Sequence, residues 1–175
     1  MTGLEQIWAG WRREYVSSVP STVTAGGVNG ADCVFCAIVT GTGSDKELGV
    51  LWRGQHVIAV LNAFPYSSGH LMVMPQRHVS GLELLTPEES TELWRGLLAA
   101  LQALRTAYQP DGVNIGANLG KAAGAGLPEH VHVHALPRWV GDTNFMTTVA
   151  GVRVMPEALG DTWSRLREAW PAGDP

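Results

Sequence analysis

His130-Val131-His132-Val133-His134 puts three of the chain's six histidines on alternate residues, with valine between them. Successive side chains of a strand point to opposite faces, so this spacing predicts a β-strand with imidazoles on one side and valines on the other. Same-face neighbours then sit roughly 7 Å apart, close enough to act on one substrate or to share a metal. An unperturbed pKa near neutrality suits histidine to nucleophilic, acid–base and metal-ligand work. A solvated strand is the plainer alternative, but solvation gives no reason to select one residue type three times in register.

Glycines frame the run. Upstream lies Gly116-Ala117-Asn118-Leu119-Gly120-Lys121-Ala122-Ala123-Gly124-Ala125-Gly126, and downstream Leu136-Pro137-Arg138-Trp139. Taken alone, the upstream stretch reads as a flexible turn between two strands. Beside three histidines it reads as backbone free to approach a ligand and to cradle a phosphate on main-chain N–H groups.

The rest of the chain reads as one α+β domain. Its 175 residues are enough for a single sizeable core. Leu4 to Tyr15 forms an amphipathic, Trp-bearing start, and Ser17 to Gly27 is loop-like in composition. Strands are expected at Leu48–Trp52, Val57–Leu61, Leu71–Met74, Val113–Asn118 and His130–Leu136, the last two antiparallel across the glycine loop. Thr86-Pro87-Glu88-Glu89 announces a helix with a capping box and proline in its first turn. Leu93, Leu97, Leu98, Leu101, Leu104 and Tyr108 form its core-facing stripe, and Pro110-Asp111-Gly112 stops it. Asp161 to Trp170 is a C-terminal helix. The expectation is therefore a five-stranded antiparallel sheet with helices packed on it. It comprises an arm and loop over residues 1–32, the histidine-bearing domain over 33–150, and a helical extension over 151–175 packed on the same domain.

A net charge of −4 and the lack of a basic block argue against nucleic acid as a partner, while leaving a small nucleotide possible. No apolar run approaches a membrane span and no secretory signal opens the chain, so the expected compartment is the cytosol. There Cys33 and Cys36 are not expected to form a structural disulfide. Their C-x-x-C follows a loop rich in Gly, Asn and Asp, which favours zinc over redox chemistry. Two thiolates supply half of a tetrahedral site.

The run His130 to Leu136 resembles the signature of the histidine triad superfamily. Ile7-Trp8-Ala9-Gly10-Trp11-Arg12, Cys33-Val34-Phe35-Cys36, Gly69-His70-Leu71-Met72-Val73-Met74-Pro75 and Gly141-Asp142-Thr143-Asn144-Phe145 extend the likeness. Together they resemble the bacterial branch that contains diadenosine tetraphosphate phosphorylases. The resemblance implies the roles of individual residues. His132 becomes the nucleophile that forms a nucleotidyl-histidine, His134 contacts the phosphate or holds its neighbour, and His70 supports the triad from an adjacent strand. A backbone carbonyl is the expected partner of the other His132 nitrogen. Asn62 corresponds to the ribose-contacting residue and Asn118 to an asparagine that reaches the phosphates. Phe35 and Ile38 become base walls, and Trp139 stacks on or covers the second nucleotide. Gly126 occupies a position where many members carry a hydroxyl or amide donor, so this chain departs from the pattern there. A structural zinc on Cys33, Cys36, His78 and His130 is implied, as is pairing into a homodimer or larger assembly.

The activity so implied is phosphorolysis of diadenosine tetraphosphate to ATP and ADP. Hydrolysis of dinucleoside polyphosphates or nucleoside phosphoramidates is the enzymatic alternative. A zinc-stabilised protein that binds nucleotides without turning them over is the non-enzymatic one.

Overall fold

The computed structural model describes residues 32–142 and 157–173. The amphipathic start, the loop that follows it and Asn144 lie outside the described residues. Five strands form one antiparallel sheet: β1 (Val50–Arg53), β2 (Val57–Leu61), β3 (Leu71–Pro75), β4 (Gly112–Gly116) and β5 (Val133–Arg138), in the order β1-β2-β3-β5-β4. Four helices accompany them among the described residues: α1 (Val34–Thr40), α2 (Asp45–Leu48), α3 (Pro87–Tyr108) and α4 (Leu159–Ala169). The expected α+β architecture is present. No helix among the described residues is long and apolar enough to cross a membrane.

Every residue of β2 and β3 is buried, because both faces of the sheet centre are covered. One face carries Val57, Ala59, Leu71, Val73, Val133 and Ala135 against α3 and α4. The other carries Val50, Ile58, Val60, Met72 and Met74 beneath Phe35 of α1. Period-2 alternation sends His134 to this second face, since it pairs with Met72 across β3–β5.

Helix α3 begins as its sequence predicts. Thr86 Oγ1 accepts from Glu89 N–H at 3.2 Å, and the Glu89 carboxylate accepts from Thr86 N–H at 2.8 Å. The buried stripe needs one correction. Leu93, Leu97 and Leu104 are core, but Leu98 is 51% exposed, and Ala100 and Ala103 take the inner positions. Leu98 lies about 100° around the axis from Leu97, and α3 packs too close to the sheet for a wider apolar arc. Gly96 shows how close: a Cβ there would stand 3.1 Å from the Trp52 ring and 3.2 Å from Val73.

A second correction concerns β5, which starts at Val133 and not at His130. The β3–β5 ladder opens at Val73↔Val133, so His130 to His132 run beyond it. Val131 N–H instead donates to Val79 C=O at 2.7 Å. Freed from the ladder, His130 and His132 engage different neighbours.

Candidate active site and metal centre

Hydrogen bonds set the protonation of each ring. His132 Nδ1 lies 2.9 Å from the His130 carbonyl oxygen, which can only accept. Nδ1 therefore carries the proton, and the Nε2 lone pair is bare. This is the backbone partner expected from the sequence. Burial lowers the His132 pKa, so the ring is neutral at physiological pH. Neutral imidazole with an unprotonated nitrogen is a nucleophile.

The neighbouring ring is set the opposite way. Tyr66 N–H donates to His70 Nδ1 at 3.0 Å, so neutral His70 holds its proton on Nε2. That Nε2 sits 3.0 Å from His134 Nδ1 and donates to it. His134 Nε2 then bears a hydrogen. The site thus pairs a bare nitrogen on His132 with an N–H on His134, their ring centroids 4.9 Å apart. Asn62 Nδ2 approaches His70 Nε2 at 3.4 Å, but both atoms are donors in this arrangement, so the approach is a contact and not a bond. Gly69 makes the seating of His70 possible. Its φ is +82°, and a Cβ there would stand 2.9 Å from the Tyr108 ring.

His130 turns away from this row. Its Nε2–H donates to Pro75 C=O at 2.9 Å, leaving Nδ1 to face Cys33 Sγ at 3.4 Å and Cys36 Sγ at 3.7 Å. His78 Nδ1 lies 3.3 Å from Cys36 Sγ. The four donor atoms all fall within 4.8 Å of one another. A tetrahedron with zinc–sulfur and zinc–nitrogen bonds of ordinary length separates S from N by about 3.5 Å, so the set fits a four-coordinate metal. Pro75 C=O gives His130 the outer hydrogen bond that orients metal-bound imidazoles. Burial holds His130 down to about 4, and burial with the adjacent Cys33 pushes the Cys36 thiol up to about 11. Metal binding would therefore release thiol protons. Beside His78, Arg77 forks onto the Glu89 carboxylate at 2.8 and 2.7 Å, fastening the ligand-bearing turn to the start of α3.

The other sequence-predicted residues divide. Phe35 stands edge-on to His132 at 5.0 Å and to His130 at 5.5 Å, with Ile38 packed on the same cluster. Asn62 Oδ1 accepts from Phe64 N–H at 2.9 Å, which aims its amide nitrogen at the imidazole row. Asn118 lies two residues beyond Gly116, the partner of His134 in β4–β5, and its amide approaches Gly124 C=O at 3.4 Å. Half-buried Gly126 immediately precedes Leu127, which packs against the Phe35–Met72 cluster. Trp139 stands apart. It shares the strand parity of Val133 and Ala135, and it meets Tyr108 edge-on at 6.2 Å. Sequence reasoning missed Tyr66, whose N–H sets the His70 tautomer and whose ring lies 4.8 Å from His70. Nothing in a turn sequence marks which N–H will do this.

Burial, helped by neighbouring His132, lowers His134 to about 4. The pH dependence follows from this shift. A depressed histidine pKa stabilises the fold fully above the unfolded value near 6.5, and the contribution drains away as pH falls towards about 4. Urea midpoints should therefore fall between pH 6.5 and 4.5 more steeply in the native chain than in His134→Gln. Parallel curves for the two proteins would contradict this.

The family model described as HIT domain matches residues 45–140. The chain belongs to the HIT domain family. The matched span begins after Cys33 and Cys36, so half of the candidate metal-binding set lies upstream of the shared HIT domain. Over 167 residues the chain is 41% identical to an AP-4-A phosphorylase of Mycobacterium tuberculosis, covering 95% of this chain and 85% of that protein. It is 38% identical over 93 residues to the asymmetrical bis(5'-nucleosyl)-tetraphosphatase of Schizosaccharomyces pombe, covering 53% and 50% of the two chains. A zinc-bound histidine triad family protein from Mycobacterium smegmatis superposes with a TM-score of 0.63 at 30% identity, over 78% of this HIT protein and 91% of that chain.

Proposed function

We propose that this protein is a nucleotidyl-transfer enzyme that cleaves diadenosine tetraphosphate by phosphorolysis. One observation carries the reading: His132 Nδ1–H is held by the His130 carbonyl, so the bare Nε2 of a neutral ring is offered to an electrophile. Nε2 attacks the α-phosphorus, the bond to the bridging oxygen breaks, and ATP departs, leaving adenylyl-His132. Inorganic phosphate then attacks the same phosphorus, the N–P bond breaks, and ADP leaves with His132 restored. His134 Nε2–H donates to a phosphate oxygen. It stands where charge gathers, and it offsets the missing donor side chain at Gly126. His70 holds His134 in that tautomer, Asn62 takes the ribose, Asn118 and the glycine loop take the phosphates, and Phe35 walls the base. The dinucleotide substrates printed in the names of the two enzyme relatives support the choice of substrate.

Zinc on Cys33, Cys36, His78 and His130 is structural in this reading. Four protein donors close the coordination shell and leave no position for substrate. Two reduced thiolates favour the cytosol. Among the described residues β4 is an edge strand, with Ile115 41% exposed, which favours pairing into a homodimer.

Product analysis tests the reaction. Diadenosine tetraphosphate with phosphate should give ADP and ATP, and without phosphate it should persist. AMP and ATP formed in the absence of phosphate would make water the acceptor and overturn phosphorolysis.

A further inference from the structure

The C-x-x-C pair opens a helix, although the loop-like residues before it predict no such setting. Cys33 is the N-cap of α1, and its carbonyl accepts the first helical bond from Ala37 N–H at 3.0 Å. Cys36 is the third helical residue, so both side chains leave the same turn. Both are free thiols, and their sulfurs lie within 4.8 Å of each other. We propose that Cys33 and Cys36 are a site of reversible oxidation by peroxides, and that closing them into a disulfide empties the metal cluster and loosens the hold on His132. The inference rests on the metal reading of that cluster and stands apart from the identity of the substrate.

Local geometry permits the bond. Residues three apart in a helical turn hold their Cβ atoms about 5–6 Å apart, and a disulfide asks for about 3.5–4.5 Å. Cys33 has extended backbone, with φ −86° and ψ 120°, and its side chain makes no capping bond. A small rotation at this one residue closes the gap and leaves the rest of α1 standing.

Access sets the order of events. Cys36 is partly exposed, whereas Cys33 is only 8% exposed. In the loaded cluster both sulfurs are thiolates, the form that reacts with peroxides. Cys36 Sγ attacks one peroxide oxygen, the O–O bond breaks, and the departing oxygen takes a proton and leaves as water. Cys36 is then a sulfenic acid, oxidised by two electrons. Cys33 Sγ attacks the Cys36 sulfur, the S–O bond breaks, and the departing hydroxide takes a proton to become a second water. Two thiolates, one hydrogen peroxide and two protons thus give one disulfide and two waters. A disulfide sulfur no longer serves as a thiolate ligand. His78 and His130 remain, two donors where a tetrahedral site asks for four.

The change reaches His132 by two routes. Phe35 lies between the cysteines in the chain and stands edge-on to His130 at 5.5 Å and to His132 at 5.0 Å. His130 Nδ1 faces both sulfurs, so oxidation leaves that ring fastened through Nε2–H to Pro75 C=O. The carbonyl of the same His130 holds His132 Nδ1–H.

The test titrates zinc-loaded native protein with hydrogen peroxide. Released zinc is read with a chromogenic chelator, thiols are counted, and the intact mass is recorded. Peroxide should release about one equivalent of zinc per chain, remove both thiols and lower the mass by two hydrogens. Dimedone present during the titration should label Cys36 and not Cys33. Turnover of diadenosine tetraphosphate should fall at least about tenfold in step with zinc release. Dithiothreitol with added zinc should restore thiols, metal and turnover together. Thiols lost with zinc retained, a mass gain from sulfinic acid, or a covalent dimer overturns the proposal. Protein that takes up no zinc overturns it together with the metal reading. Zinc release with undiminished turnover overturns the link to His132. Native protein that turns over no nucleotide removes the nucleotidyl-transfer reading, while zinc, thiols and mass still decide the oxidation site.

Discussion

His132→Asn should lower kcat on diadenosine tetraphosphate by at least about a thousandfold, while nucleotide affinity changes little. Asparagine can keep the Nδ1-like donor to the His130 carbonyl, so the local backbone has its partner. Its amide oxygen then falls at the place of the ring Cδ2, and no atom stands where Nε2 offers its lone pair, so no phosphoramidate bond can form. Remaining binding and His134 polarisation leave some turnover, as removal of a covalent nucleophile commonly does. Native protein quenched during turnover should carry the mass of one nucleotidyl group on His132, and the variant should carry none. Undiminished kcat in His132→Asn would remove His132 from the covalent role.

Cys33→Ser should abolish stoichiometric zinc and lower the melting temperature by about 10 °C. Two relations set that size. A ligand at a thousand times its Kd stabilises a fold by about 4 kcal/mol, and each kcal/mol moves the midpoint of a chain this long by about 2–4 °C. The mechanism is a crosslink. Cys33 caps α1, Cys36 lies within it, His78 follows β3 and His130 precedes β5. A metal held by these four residues would gather the segments, and His130 provides the carbonyl that orients His132. Activity should therefore fall with metal content. Zinc and stability are measured together by elemental analysis and thermal melts. Chelator-treated native protein should match the variant. A melting temperature unmoved by loss of the ion would refute the structural role.

Much of the fold was legible before any coordinates. The limits of β2 match the expected strand, and the Thr86–Glu89 capping box opens α3 as its residues predict. Both signals are local, carried by residues within a turn or a strand of one another. Two features of the structure depart from the sequence expectation for non-local reasons. Apolar spacing cannot report how near α3 approaches the sheet, so it predicts a core place for Leu98, whereas Gly96 brings the helix in close and Leu98 stays outside. Alternation cannot report where strand pairing stops, so the spacing predicts β5 from His130, although its ladder with β3 opens only at Val73↔Val133 and Val131 N–H turns to Val79.

The sequence by itself determined the sheet, the face that His134 takes within it and the C-x-x-C pair of the candidate metal site. The chain's resemblance to its family named His78 and His130 as the other half. Only the tertiary structure brought Cys33 to His130 across 97 residues, and only it decided which nitrogen of each ring is bare. Periodicity constrains the direction in which a side chain leaves the backbone. The tautomer of an imidazole depends on what its second nitrogen meets. Here those partners are the His130 and Pro75 carbonyls and the Tyr66 N–H, main-chain groups whose positions follow from chain reversals and strand ends and not from any side-chain pattern.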